Sequence, residues 1–280
     1  MSLDKERFRE VLKSIDPLNR NYFREWVVWQ TGCDILKLSS MKPQDANEFL
    51  EIFFVCAAIN FSGQRGGAGG IDNVHEGLLG FRKAIKLLES LYPSQYHNIS
   101  VFVNKLDIKP DKNLTPCQQL VNFMEKQKTF GPKIAALFVK ILVKDLEFFG
   151  PFGNIAQPMF VPLDKVNARL CNHLLKQMGI KLNILLDDIS DNDMKGRRER
   201  HKFNRIARYI MGCQSGIYFE NLWFIGHFYH FIGAKAKQDC CINEIQLQAE
   251  MPVTKNLSFP CECPLKKIGC LQLCELGGSS

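Results

Sequence analysis

The chain has 280 residues, 46% of them hydrophobic and 23% charged, which is enough apolar material for one large domain or two small ones and excludes a disordered chain. No apolar run approaches the roughly 18 residues that a membrane helix needs, and the opening stretch from Met1 to Glu10 is mostly charged, so a soluble, unsecreted, intracellular protein is expected. The formal charge of +7 suits a polyanionic partner without requiring one.

Helical periodicity runs through the chain and strand-like alternation is nearly absent, which predicts an all-α fold. Ala46 to Asn60 is apolar almost all round and reads as a buried helix. Ser62 to Gly70 follows as a glycine-rich loop, and Val74 to Leu91 reads as an amphipathic helix that stops before Tyr92-Pro93. Thr115-Pro116 starts the next helix, with threonine as N-cap and proline at the first helical position, and the helix runs to about Lys128. Thr129-Phe130-Gly131-Pro132 interrupts the pattern for one short turn, and Lys133 to Val143 resumes it as an almost wholly apolar helix. Two helices joined by so tight a turn form a helical hairpin. Phe148 to Pro162 is a turn-rich connection leading to Asp164, after which helices return over Val166 to Met178, Asp193 to Met211 and Glu220 to Ile232. The densest basic run, Lys195 to Lys202 with Arg205 and Arg208 beyond it, has a solvated helix face as its ordinary reading.

Two residues stand where chemistry is plausible on electrostatic grounds. Lys133 falls in the first turn of its helix, where the macrodipole places partial positive charge and Ile134 and Leu137 supply apolar surroundings. Both effects favour the neutral, nucleophilic amine, a candidate for attack on a sugar carbon and formation of a Schiff base. The plainer role of Lys133 is to snorkel to solvent. Asp164 directly precedes a helix, so its plainer role is an N-cap. A carboxylate held rigid by backbone amides also stabilises positive charge developing on a ribose ring.

The 11 cysteines are odd in number, and Cys56, Cys171 and Cys213 sit singly in apolar stretches as core thiols of a reducing compartment. Cys261, Cys263, Cys270 and Cys274 crowd into the tail instead. Four soft thiolates in a short loop suit an iron-sulfur cluster or zinc, and unliganded thiols are the third outcome.

The turn Gly131-Pro132-Lys133 before an apolar helix, followed by Val161-Pro162-Leu163-Asp164 and then Arg169, resembles the helix-hairpin-helix DNA glycosylases. These end their hairpin in a Gly-x-Lys and carry a Val-Pro-x-Asp segment with a downstream arginine. Phe49 to Gln64 is similar to an early helix of that family ending in Ser-x-Gln, whose glutamine wedges into DNA where a nucleotide has been flipped out. The resemblance covers roughly Phe49 to Leu175. It implies that Lys133 is the nucleophile and Asp164 assists base departure, that Gln64 is the wedge, and that Arg65 and Gly131 contact the backbone. The Lys-to-Asp spacing is longer than in endonuclease III-like members and looks closer to archaeal 8-oxoguanine glycosylases. The hairpin departs from the family's Leu-Pro-Gly-Val-Gly in keeping one glycine, and Pro132 has no amide hydrogen for a phosphate.

By the same resemblance the architecture is two helical lobes with a helix-hairpin-helix motif and a cleft between them. Residues 45–163 form the hairpin-bearing lobe, and residues 1–44 with 164–280 form the second lobe with its cysteine-rich loop. The implied activity is removal of an oxidised base such as 8-oxoguanine from double-stranded DNA by a monomeric glycosylase with AP-lyase activity. A four-iron, four-sulfur cluster on Cys261, Cys263, Cys270 and Cys274, or less readily zinc, would tie down the tail, although the spacing of these cysteines differs from the family's. The other readings are an N-glycosidase for a free modified nucleoside or nucleotide, and a non-catalytic DNA-binding scaffold in which Asp164 only caps.

Overall fold

A computed structural model describes residues 4–61, 70–106, 108, 111–152, 158–189, 194–212, 216–232, 235–236, 242 and 244–268. Among the described residues the fold is all-α, apart from one antiparallel ladder of two residues a side, Phe231–Ile232 against Lys235–Ala236. None of the described helices is long and apolar enough to cross a membrane. The chain divides into two compact units, one of Met1–Tyr22 with Leu163–Ser280 and the other of Phe23–Pro162. Helix α1 (Lys5–Thr31) passes from the first unit into the second, and no element was expected over it from the sequence.

In the unit of Phe23–Pro162 the helices are α2 (Pro43–Asn60), α3 (Ile71–Lys86), α4 (Pro93–Tyr96), α5 (Ile99–Lys105), α6 (Pro116–Glu125) and α7 (Pro132–Lys140). Their starts follow local chemistry. Asn98 caps α5 by accepting from the amides of Ser100 at 3.0 Å and Val101 at 3.2 Å. Thr115 and Gln118 form a reciprocal capping box at α6, and the Thr115 hydroxyl also donates to the Pro158 carbonyl at 2.7 Å.

The core of this unit is aromatic. Phe53 stacks on Phe138 and Phe54 on Phe130, both with ring centroids 4.5 Å apart, and Phe54 stacks on Phe81 at 4.8 Å. Pairs of this kind add about 0.5–1.5 kcal/mol each beyond area burial. They fasten α2 to α3, to α7 and to the turn between α6 and α7.

Helix α7 runs on into a π turn, Ile141–Asp145, marked by the Leu146 amide bonding to the Ile141 carbonyl at 2.8 Å. The sequence predicts regular helix to Val143. Three charged side chains at this end of the helix, Lys140, Lys144 and Asp145, have 0% exposure. Lys140 Nζ lies 2.7 Å from Asp145 Oδ2, a close ion pair outside hydrogen-bond alignment, and 3.7 Å from the centre of the Phe23 ring. The Asp145 carbonyl accepts from Arg24 Nε.

The other unit contains α8 (Lys165–Gln177), α9 (Met194–Met211), α10 (Asn221–Ile225), α11 (Glu244–Ala249) and α12 (Met251–Thr254). A 3-10 turn, Gly216–Glu220, precedes α10 and a π turn, Gly226–His230, follows it. Helix α9 buries Phe203, Ile206, Ala207 and Ile210, and Phe203 meets Phe219 at 5.2 Å. At the N-terminal end of α1, Asn221 Nδ2 donates to the Leu12 carbonyl at 2.8 Å and to Asp16 at 3.1 Å, and Asn19 Nδ2 donates to Glu220 at 2.8 Å. This buried network holds α1 through residues on either side of Pro17 in the sequence; Pro17 itself is exposed and cannot supply the helical amide at its own position.

Candidate functional site

Helix α7 begins at Gly131, which has extended backbone (φ −80°, ψ 171°) and no side chain to cap with, followed by Pro132 in the first helical position. The amides of Lys133 and Ile134 therefore begin the helix without a side-chain cap. Lys133 is half-buried, and its amine makes no ion pair or hydrogen bond among the described residues. Two free amides beside a lysine form a local concentration of positive charge suited to an anionic oxygen.

The turn that carries Lys133 is held from outside. Gly77 of α3 lies so close that a Cβ there would stand 2.2 Å from the Lys128 carbonyl oxygen, and Lys128 is paired with Glu76. Within the turn, Thr129 takes a left-handed backbone (φ 79°), a conformation that glycine adopts freely and a β-branched residue resists. The hairpin thus reaches a glycine-type geometry at a position where the sequence has threonine.

Asp164 stands outside the first turn of α8 with extended backbone (φ −135°). Its carboxylate accepts from the Asn167 amide at 2.9 Å while Asn167 Oδ1 accepts from the Asp164 amide at 2.9 Å, a complete capping box. Lys133 belongs to the unit of Phe23–Pro162 and Asp164 to the other. Gln64 and Arg65, the expected DNA contacts after α2, lie outside the described residues, as do Cys270 and Cys274. Of the remaining tail cysteines, Cys261 is exposed and Cys263 is buried. Burial pushes the Cys263 thiol up to about 11, while the backbone N–H groups of Leu265 and Lys266 at its sulfur draw it down. Among the described residues no group of three or more histidine, cysteine or acidic side chains is placed to share a metal ion.

One constellation escaped the sequence reading because its members are far apart in the chain. Glu250 accepts from the Tyr22 hydroxyl at 2.6 Å and from Gln246, and lies 2.6 Å from His227 Nε2. Trp223 stacks on the His227 ring at 4.6 Å. Burial opposes ionisation of Glu250, yet the bonds from His227, Tyr22 and Gln246 outweigh it and hold the carboxyl below its ordinary 4.5. A lowered folded value means that ionised Glu250 adds stability above 4.5 and loses that contribution as pH falls through the folded value. The Tm gap between the wild type and Glu250→Gln is therefore expected to be widest near neutral pH and to close in acid. A gap that does not change with pH removes the ionised carboxylate from this account.

Compared with protein-family models, with curated proteins and with solved structures, the chain matches none.

Proposed function

We propose that the protein is a base-excision DNA glycosylase with AP-lyase activity, in which Lys133 supplies the amine and Asp164 the carboxylate. The observation that carries this reading is the setting of Lys133. It is a half-buried lysine without an ionic partner among the described residues, in the first turn of an apolar helix whose leading amides are uncapped. In this reading the Lys133 amine attacks C1′ of the deoxyribose. The bond from C1′ to the base nitrogen breaks with its electron pair leaving on the base, and Asp164 offsets the positive charge developing on the sugar. Loss of the amine protons and opening of the ring give the Schiff base from which the strand is nicked. An oxidised purine such as 8-oxoguanine in duplex DNA is the proposed substrate, on the strength of the long Lys-to-Asp spacing.

Borohydride trapping on an abasic-site duplex tests the proposal, with a covalent protein–DNA adduct as the expected result. The scaffold reading draws support from the complete capping box, since the Asp164 carboxylate accepts from the Asn167 amide as an ordinary helix cap does. Binding of the duplex without any adduct would favour it.

The proposal extends to the tail, where Cys261, Cys263, Cys270 and Cys274 would hold a four-iron, four-sulfur cluster with a structural role. Backbone N–H groups directed at the Cys263 sulfur suit a ligating thiolate. Protein purified without air is expected to contain iron and absorb broadly in the visible, with both signals lost in Cys263→Ser. Zinc without iron would replace the cluster by a zinc site, and neither metal would leave bare thiols.

A further inference from the structure

Helix α9 carries seven lysines and arginines against one acid, Glu199. That acid is buried and already committed: it accepts from Lys202 Nζ at 2.7 Å and from the Leu185 amide at 2.9 Å. Among the described residues Arg197, Arg198, Arg205 and Arg208 have no carboxylate partner. Arg198, Arg205 and Tyr209 recur at helical spacing along one exposed face, with the two arginines two turns and on the order of 10 Å apart.

The same face borders a groove of about 620 Å³ whose floor is formed by Leu175, Ile180 and Leu182. Part of this lining is open to solvent: Leu182 is 50% exposed and Tyr209 is 60% exposed, while Leu175 is buried. Lys5 Nζ stands 4.6 Å from the centre of the Tyr209 ring and adds a further cation. A solvated helix face needs the arginines but no apolar trough beside them. Duplex DNA would use the charges and leave the trough empty, because its bases are stacked inside. A polymer presenting both anionic phosphates and unstacked apolar rings uses both features, and basic grooves with an aromatic platform bind single strands in this way.

We propose that the α9 groove binds a segment of single-stranded nucleic acid, with phosphates on Arg198 and Arg205 and a base lying over Leu182 against Tyr209. The site lies wholly within one unit and does not depend on the chemistry proposed for Lys133. Fluorescence anisotropy with a labelled oligothymidine and an undamaged duplex of equal length tests it. Arg198→Ala/Arg205→Ala is expected to weaken oligothymidine binding at least about tenfold and to flatten its salt dependence. Tyr209→Ala is expected to weaken it about tenfold while leaving the duplex within about twofold. All three side chains are exposed, and unchanged thermal melting confirms that the variants fold. The proposal is overturned if either variant leaves oligothymidine affinity unchanged, or if Tyr209→Ala weakens duplex binding equally. Displacement of the α9-dependent signal by an amphipathic Leu/Glu peptide but not by unlabelled oligothymidine would also overturn it, in favour of a protein partner. Trapping at an abasic site should be unaffected by these variants, so the two proposals fail separately.

Discussion

Lys133→Ala is expected to abolish the borohydride-trapped adduct and to lower strand nicking by on the order of 10³-fold or more, because no other group replaces a nucleophile that forms the covalent intermediate. The fold should survive, since Lys133 makes no ion pair or hydrogen bond among the described residues and alanine is a better helix former. Asp164 requires a subtler substitution, because its carboxylate has a structural duty as well as the proposed chemical one. Asp164→Asn keeps an oxygen for the Asn167 amide, and asparagine is as good an N-cap as aspartate. It is therefore expected to retain stability within a few tenths of a kcal/mol while base excision falls by on the order of 10²-fold or more. Asp164→Ala removes cap and charge together and adds a stability loss of about 1 kcal/mol. Full activity in Asp164→Asn would reduce the residue to its cap. Adduct formation that persists in Lys133→Ala would transfer the chemistry to another amine.

Asp145→Ala is expected to destabilise the protein by about 3–5 kcal/mol, because it removes the carboxylate 2.7 Å from the Lys140 amine at a site of 0% exposure. The Phe23 ring face gives Lys140 partial compensation, worth about 2 kcal/mol or more for a desolvated cation. Replacing both partners in Lys140→Met/Asp145→Leu has the opposite logic. It removes two desolvation costs together with one attraction, and is expected to be near neutral or stabilising. Urea denaturation of the three proteins measures both terms. A double variant as unstable as the single one would show that the pair contributes net stability.

The contrast between these two sites shows what the sequence makes legible. The hairpin could be read because its signals are local: Thr115-Pro116 opens one helix, Gly131-Pro132 opens the next, and each works through backbone amides only residues away. Asp164 was legible as a cap for the same reason. The charged core at the end of α7 was not, because its burial is made by packing from other segments, and Asp145 comes round towards the face that Lys140 and Lys144 share only where the helix widens into a π turn. Helix α1 was hidden by Pro17 and by a high charge content that reads as a surface segment. Glu250 could not be connected to Tyr22 from sequence, because the link is made by packing alone. The run from Lys195 to Arg208 was visible as charge, but the trough beside it comes from Leu175, Ile180 and Leu182 of a neighbouring segment.

The approach of Gly77 to the Lys128 carbonyl has a consequence for how this hairpin can change. The Lys128 carbonyl occupies the space that a Cβ at position 77 would need, so α3 passes this turn only with glycine there, whereas Gly131 in the same turn has open space where its Cβ would stand. Thr129, already in a glycine-type conformation, is the position where a more flexible, glycine-rich turn could be introduced without moving the lysine that follows.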